Sequence, residues 1–391
     1  MILCYNSLSS GHMGGPHWRG KNSMSCKHLI VVVLGLTGLL FSGSMATPAD
    51  ATIPSGSRAC TSFSLDNGGA NLFGTNYDNT IAPGLLFVNK RGLQKTGWES
   101  GTTGEVATWV SNYGSVSVNV AGYQLAWAGM NEQGLMISTM ALGETENPLP
   151  DERPPLDSGF WLQYQLDTAA TIEDVVASED DVRMTETVDH YLVCDKTECA
   201  VIEFLEGEMV VHAGEDLPMP VLTNTPYASA LDTWQSNTRE EIEQAGNYSR
   251  LRFAIAADRV TGFDTAGEAP ALDYAFETLH LVSDAYDLTS PTQWSVVFDP
   301  ATLTLYFRTR NNPDIRYASF DDLDFSCRTS VQMLDAHAEL SGDVSGDFVE
   351  YDHEVSLEHT LNFLEQWGQR DIPDETIEQL LRLFASFPCT E

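Results

Sequence analysis

Downstream of residue 60 the hydrophobic pattern switches repeatedly between strand and helix periods, and this order restricts the fold more than any other feature. Residues 60–142 are strand-rich: SVSVNV (115–120) alternates, and GMNEQGLMISTM (129–140) reads as a turn leading into a strand. FWLQYQLDTAATIEDVVAS (160–178) has apolar residues at three- and four-residue spacing and reads as a helix. Strands return at 190–205, 208–213 and 220–223, and helical stretches follow at 227–260 and 270–287. WSVVFD (294–299), TLTLYFRT (302–309) and IRYASF (315–320) read as strands. A β-block, α-block, β-block order predicts an α+β fold in which helices cover antiparallel sheets. Residues 329–391 read as an acidic extension with one or two amphipathic helices, among them ETIEQLLRLFASF (375–387).

Charge narrows the class of partner. From residue 60 onward the chain carries 16 Lys and Arg against 55 Asp and Glu. Such a field repels nucleic acid and anionic membrane surfaces. It suits either a solvated acidic surface or a protein adapted to high salt, where screening removes the self-repulsion. No metal-ligand cluster, phosphate loop or nucleotide fingerprint is legible, so neither metal nor cofactor is expected.

Ahead of residue 60 lies a different kind of segment. LIVVVLGLTGLLF (29–41) is a continuous apolar run preceded by Lys27 and His28. It is shorter than the ~20 residues of a membrane span, and small residues follow it, as in a secretory signal. Cleavage is expected near Ala46 or Ala51, with Met24 as an alternative start. Residues 1–46 are then extension and signal, and 47–59 a short propeptide. Export favours disulfides. Cys194 and Cys199 flank a turn between two apolar runs, and Cys327 and Cys389 form the other expected pair.

That leaves Cys60, for which three readings compete. A lipid anchor would follow its apolar run directly, yet 18 residues separate Phe41 from Cys60. A disulfide to Cys327 or Cys389 is the second. The third is a nucleophile made by cutting the Ala59–Cys60 bond. The α-amine so created has a pKa near 7.7–8.0 in model compounds and the thiol about 8.5. The amine can take the thiol's proton and later give it to a leaving amine, so no catalytic His is needed.

CTSF (60–63) with LFGTNYDN (72–79), GMNEQGL (129–135), PVLTNTP (220–226), SRLRFAIAA (249–257) and PTQWSVVFDP (291–300) occur in that order. Together they resemble the choloylglycine hydrolase family, which includes conjugated bile salt hydrolases and penicillin V acylases. The resemblance implies a four-layer αββα sandwich of N-terminal-nucleophile hydrolases over residues 60–328. It implies Cys60 as nucleophile, Asp78 beside the new amine, and Asn224 as an oxyanion donor. It implies Arg252 as the site arginine, with Arg250 as the alternative register. The second oxyanion position falls on Ala141, where only a backbone N–H is left to donate. Bile salt hydrolases carry Arg where this chain has Thr75, a substrate-contacting position in the family. The implied substrates are N-acyl amides: conjugated bile salts, phenoxyacyl penicillins or N-acyl homoserine lactones. The resemblance further implies a homo-tetramer. The alternatives are a noncatalytic exported binding protein on the same fold and an acyltransferase.

Overall fold

The computed structural model describes residues 59–66, 71–81, 83–98, 105–263, 270–283, 291–366 and 372–390. The expected signal and all of the expected propeptide except Ala59 lie outside these residues. In chain order the strands are β1 (Thr61–Asp66), β2 (Asn71–Asp78), β3 (Leu85–Asn89), β4 (Gln94–Thr96), β5 (Thr108–Val110), β6 (Ser115–Asn119), β7 (Ala126–Asn131), β8 (Met136–Ala141), β9 (Pro155–Asp157) and β10 (Arg183–Thr185). They continue with β11 (Asp189–Cys194), β12 (Cys199–Leu205), β13 (Glu208–Ala213), β14 (Val221–Leu222), β15 (Thr292–Asp299), β16 (Thr304–Thr309), β17 (Arg316–Ser319), β18 (Gln332–Asp335), β19 (Gly342–Asp343) and β20 (Val349–Glu350).

Two sheets carry the fold. One has seven strands in the order β14-β1-β2-β15-β16-β17-β19, and the other nine in the order β13-β12-β11-β8-β7-β6-β3-β18-β20. Pairing within them is antiparallel except between β17 and β19. At the centre of the first sheet, β1 and β2 form a hairpin with Thr61 opposite Asn76 and Asp66 opposite Asn71. Gly74 has no side chain because a Cβ there would sit 2.6 Å from the ring of Phe63.

Helices cover both outer faces. On the seven-stranded sheet α5 (Tyr248–Gly262) packs on β1 and β14, and α6 (Ala271–Leu281) on β2 and β15. On the nine-stranded sheet α1 (Ser158–Thr168) packs on β7 and β8. Nearly the whole middle of α1 is buried, as expected of a helix between a sheet and further helices. Beyond α1 lies the C-terminal pair α7 (His353–Gln366) and α8 (Asp374–Ala385). The apolar stripe of α8 is Ile377, Leu380, Leu381 and Phe384, and Phe384 meets Phe160 of α1 edge-on at 5.2 Å. One hydrophobic core lies between the sheets and under α5 and α6, and a second between the nine-stranded sheet and α1, α7 and α8. This is the expected α+β sandwich.

The expected helix over 160–178 is broken. Thr171 caps α2 (Ile172–Ala177) in a reciprocal capping box with Asp174, which starts a new helix while the apolar spacing runs on. The stretch 227–260 divides likewise into α3 (Tyr227–Ser236), α4 (Arg239–Gln244) and α5, at a second capping box between Thr238 and Glu241 and at the Asn247 cap. Past residue 328, β18 hydrogen-bonds to β3 and so joins the main sheet, and no unit boundary falls there. Both expected disulfides are present, Cys194–Cys199 across the β11–β12 hairpin and Cys327–Cys389.

Candidate active site

The hairpin returns Asp78, the last residue of β2, to the start of β1, where Cys60 sits. Pairing of β14 with β1 delivers the next loop to the same end, and Asn224 lies two residues beyond β14. Arg252 reaches in from α5, which crosses β1, and Ala141 ends β8 of the opposite sheet. Five residues spread over 193 positions of sequence thus meet at one end of the sandwich.

The contacts converge on the Cys60 backbone. Its N–H donates to Asn224 Oδ1 at 2.7 Å. Its carbonyl accepts from the Arg252 guanidinium, which also donates to Thr61 Oγ1 at 2.8 Å and to Asn224 Oδ1 at 3.0 Å. Arg252 lies 4.0 Å from Asp78 Oδ2, and Thr292 Oγ1 donates to Asp78 Oδ1 at 2.5 Å. Asn224 Nδ2 donates to the Ala141 carbonyl at 2.9 Å. Cys60, Asp78 and Arg252 are buried, and Cys60 takes part in neither disulfide.

Two expected residues sit differently. Arg250 turns away and donates to Ser229 Oγ at 2.8 Å, since two residues along a helix are about 200° apart. Only Arg252 joins the cluster. Thr75, expected at the substrate, is fully buried between the sheets. Its Oγ1 accepts from Ser62 Oγ at 2.8 Å, and Ser62 Oγ accepts from Ser138 Oγ at 2.7 Å. Side chains alternate along β2, so Thr75 faces the other sheet while Asp78 faces α5. At Ala141 the contact made is through the carbonyl, an acceptor, which orients the Asn224 amide and leaves that amide's second N–H to donate elsewhere. Thr292 was not singled out from the sequence, although it stands in the PTQWSVVFDP motif.

A cavity of about 640 Å³ lies between the nine-stranded sheet, α1 and the C-terminal helices. Its walls include Leu125, Trp127, Phe160, Leu380 and Phe384. Asp157, Glu186 and Asp189 also line it, and among the described residues no Lys, Arg or His does. None of Cys60, Asp78, Asn224 or Arg252 lines it. On β8, Thr139 lines the cavity two residues before Ala141, and Asp189 pairs with Ala141. Trp127 Nε1, at its wall, is buried with no hydrogen-bond partner. Among the described residues no group of His, Cys, Asp and Glu is arranged to hold a metal ion, and no helix is long and apolar enough to cross a membrane.

Residues 60–251 match the family model of linear amide C–N hydrolases, choloylglycine hydrolase family. The chain is 26% identical over 298 residues to a penicillin V acylase of Pectobacterium atrosepticum, covering 64% of this chain and 79% of that one. Penicillin V acylase from Agrobacterium tumefaciens superposes with a TM-score of 0.64 at 24% identity, covering 75% of this chain and 98% of that one. A conjugated bile acid hydrolase from Clostridium perfringens superposes at 0.59 with 15% identity, covering 71% and 97%. These structures share the sandwich fold. The family match opens on Cys60, the residue on which the polar contacts converge, and the chain belongs to the choloylglycine hydrolase family, whose members hydrolyse carbon–nitrogen bonds in linear amides.

Proposed function

We propose that the chain is an exported amidohydrolase that cleaves an N-acyl amide through Cys60 as an N-terminal nucleophile. The observation that carries this reading is the 2.7 Å hydrogen bond from the Cys60 N–H to Asn224 Oδ1. It joins the one backbone nitrogen that a cut at Ala59–Cys60 would turn into an amine to the side chain that would serve the oxyanion. The apolar run at 29–41 supports export.

In this mechanism water first cleaves the Ala59–Cys60 bond, releasing the propeptide carboxylate and a Cys60 α-amine. The amine takes the thiol proton, and the thiolate attacks the substrate carbonyl. The resulting oxyanion accepts from the second Asn224 N–H and from the Ala141 N–H; one such donor is worth roughly 3 kcal/mol. The Cys60 ammonium then protonates the leaving amine, and water hydrolyses the acyl-thioester. Arg252 holds the Cys60 carbonyl and the Asn224 oxygen, and Asp78 balances its charge.

Cys60→Ala and wild-type protein incubated with N-acyl amides of graded chain length test the proposal. Amine release by the wild type alone is expected. Equal release by Cys60→Ala would refute it, and so would none from any chain.

A further inference from the structure

A buried dyad behind Asn224 takes no part in the mechanism above. His190 on β11 and Glu203 on β12 are each about 1% exposed or less. His190 Nδ1 lies 2.9 Å from Glu203 Oε1, and its Nε2 lies 2.5 Å from the carbonyl of Thr223, the residue before Asn224. Glu203 Oε1 also accepts from the Tyr227 N–H at 3.0 Å, and Oε2 lies 3.2 Å from His212 Nε2.

Donor counting fixes one end of this chain. A carbonyl only accepts, so His190 Nε2 carries a proton and gives it to Thr223. On the other side Nδ1 and Glu203 Oε1 share one further proton. The dyad therefore grips the Asn224 segment twice, through the Thr223 carbonyl on one side and the Tyr227 N–H on the other. It also spans the sandwich, because β11 and β12 belong to the nine-stranded sheet while Thr223 follows β14 of the other. Asn224 must hold its carboxamide to a fraction of an ångström to serve an oxyanion, and the rest of its loop has no ladder to fix it.

We propose that His190 is a positioning residue for amide hydrolysis: supported by Glu203, it holds the Thr223 carbonyl and thereby fixes the Asn224 carboxamide at the reacting centre. This rests on the role given to Asn224 above.

Two isosteric cuts separate this role from plain stability. In His190→Gln the side-chain amide reaches the former Nε2 position and keeps the donor to Thr223. In His190→Asn the amide reaches only the former Nδ1 position, so it keeps Glu203 and loses Thr223. Both retain one of two buried hydrogen bonds, so similar melting temperatures are expected. The kcat on an N-acyl amide should stay within about threefold of wild type for His190→Gln. It should fall roughly 10- to 100-fold for His190→Asn with KM unchanged, the usual effect of a small misplacement. Equal kcat in the two variants, or a change confined to KM, would overturn the proposal. If His190→Asn does not fold, the His190→Asn/Glu203→Gln pair removes the buried charge and still lacks the Thr223 donor. The same loss of kcat is expected there, and wild-type kcat would overturn it. Asn224→Ala run alongside tells the two readings apart. A slow Asn224→Ala beside a fast His190→Asn defeats the positioning role alone. A fast Asn224→Ala defeats both.

Discussion

The N–H of Cys60 and the side-chain oxygen of Asn224 are joined by a 2.7 Å hydrogen bond while the Cys60 nitrogen is still a peptide nitrogen bonded to Ala59. An amide nitrogen is not a base, so this chain cannot use it to take the thiol proton. Activity should therefore appear only with the cut. Intact mass and N-terminal sequencing of secreted protein should give Cys60 as residue one. Protein that keeps Arg58 and Ala59 should be inactive on every N-acyl amide. An active uncut chain would remove the mechanism.

Asn224 is held by two donors on its oxygen and one acceptor on its nitrogen. Asn224→Ala should lower kcat by roughly 100- to 1,000-fold with little change in KM, the loss seen when one oxyanion donor is removed. Asn224→Asp should do no better, because a carboxylate has no N–H to give. Steady-state kinetics on one chromogenic amide decide this.

The two arginines of α5 should behave oppositely. Arg252→Lys keeps a charge but cannot hold the Cys60 carbonyl, Thr61 and Asn224 together, since an ammonium lacks the planar fork. It should lose at least about tenfold in kcat, corresponding to roughly 1.4 kcal/mol of the barrier. Arg250→Ala should leave kcat near wild type, because that side chain binds Ser229. The reverse pattern would put the site arginine at Arg250.

The layered α+β order was legible because the period of apolar residues changes between blocks, and the β1–β2 hairpin because its motif is contiguous. Helix breaks at Thr171 and Thr238 were hidden because the apolar spacing continues through both capping boxes. The pairing of β18 with β3 joins residues more than 240 positions apart, and no local pattern announces it. The place of Thr75 was hidden for a simpler reason. It shares its motif with Asp78, but strand alternation turns Thr75 toward the other sheet. The His190–Glu203 dyad was invisible because it depends on strand register. The pairing of Tyr191 with Ile202 sets His190 opposite Glu203, and neither residue belongs to a motif.

The two disulfides should differ in worth. Cys327–Cys389 closes a loop of sequence separation 62, and Cys194–Cys199 one of 5. Loop entropy alone makes the long bridge worth roughly 4 kcal/mol and the short one about 2. The long bridge also ties down the chain end at Gly92–Gln94, where Thr390 N–H donates to the Gly92 carbonyl and Gln94 N–H to the Pro388 carbonyl. Denaturant unfolding of the Cys327→Ser/Cys389→Ser pair should show the larger loss. A larger loss for Cys194→Ser/Cys199→Ser would mean that strain or residual structure outweighs loop length.

Acid should act on the sandwich through Glu203. Burial alone would push its carboxyl up, but hydrogen bonds from His190, His212 and the Tyr227 N–H outweigh this and carry the pKa down to about 2. The ordinary value is 4.5, so the folded value is depressed. The native state then binds this proton less readily than the unfolded chain. The resulting stability is fully present above pH 4.5 and is lost as pH falls from there towards 2. Its size is on the order of 3 kcal/mol for a shift of this kind in a buried group. Many other carboxylates titrate in the same window, so the useful quantity is a difference. Glu203→Gln keeps an acceptor for Tyr227 and does not ionise. Its melting temperature should start below that of the wild type at pH 6 and converge on it as pH falls towards 2–3. Parallel curves for the two proteins would show that the Glu203 carboxylate is not what ties stability to pH.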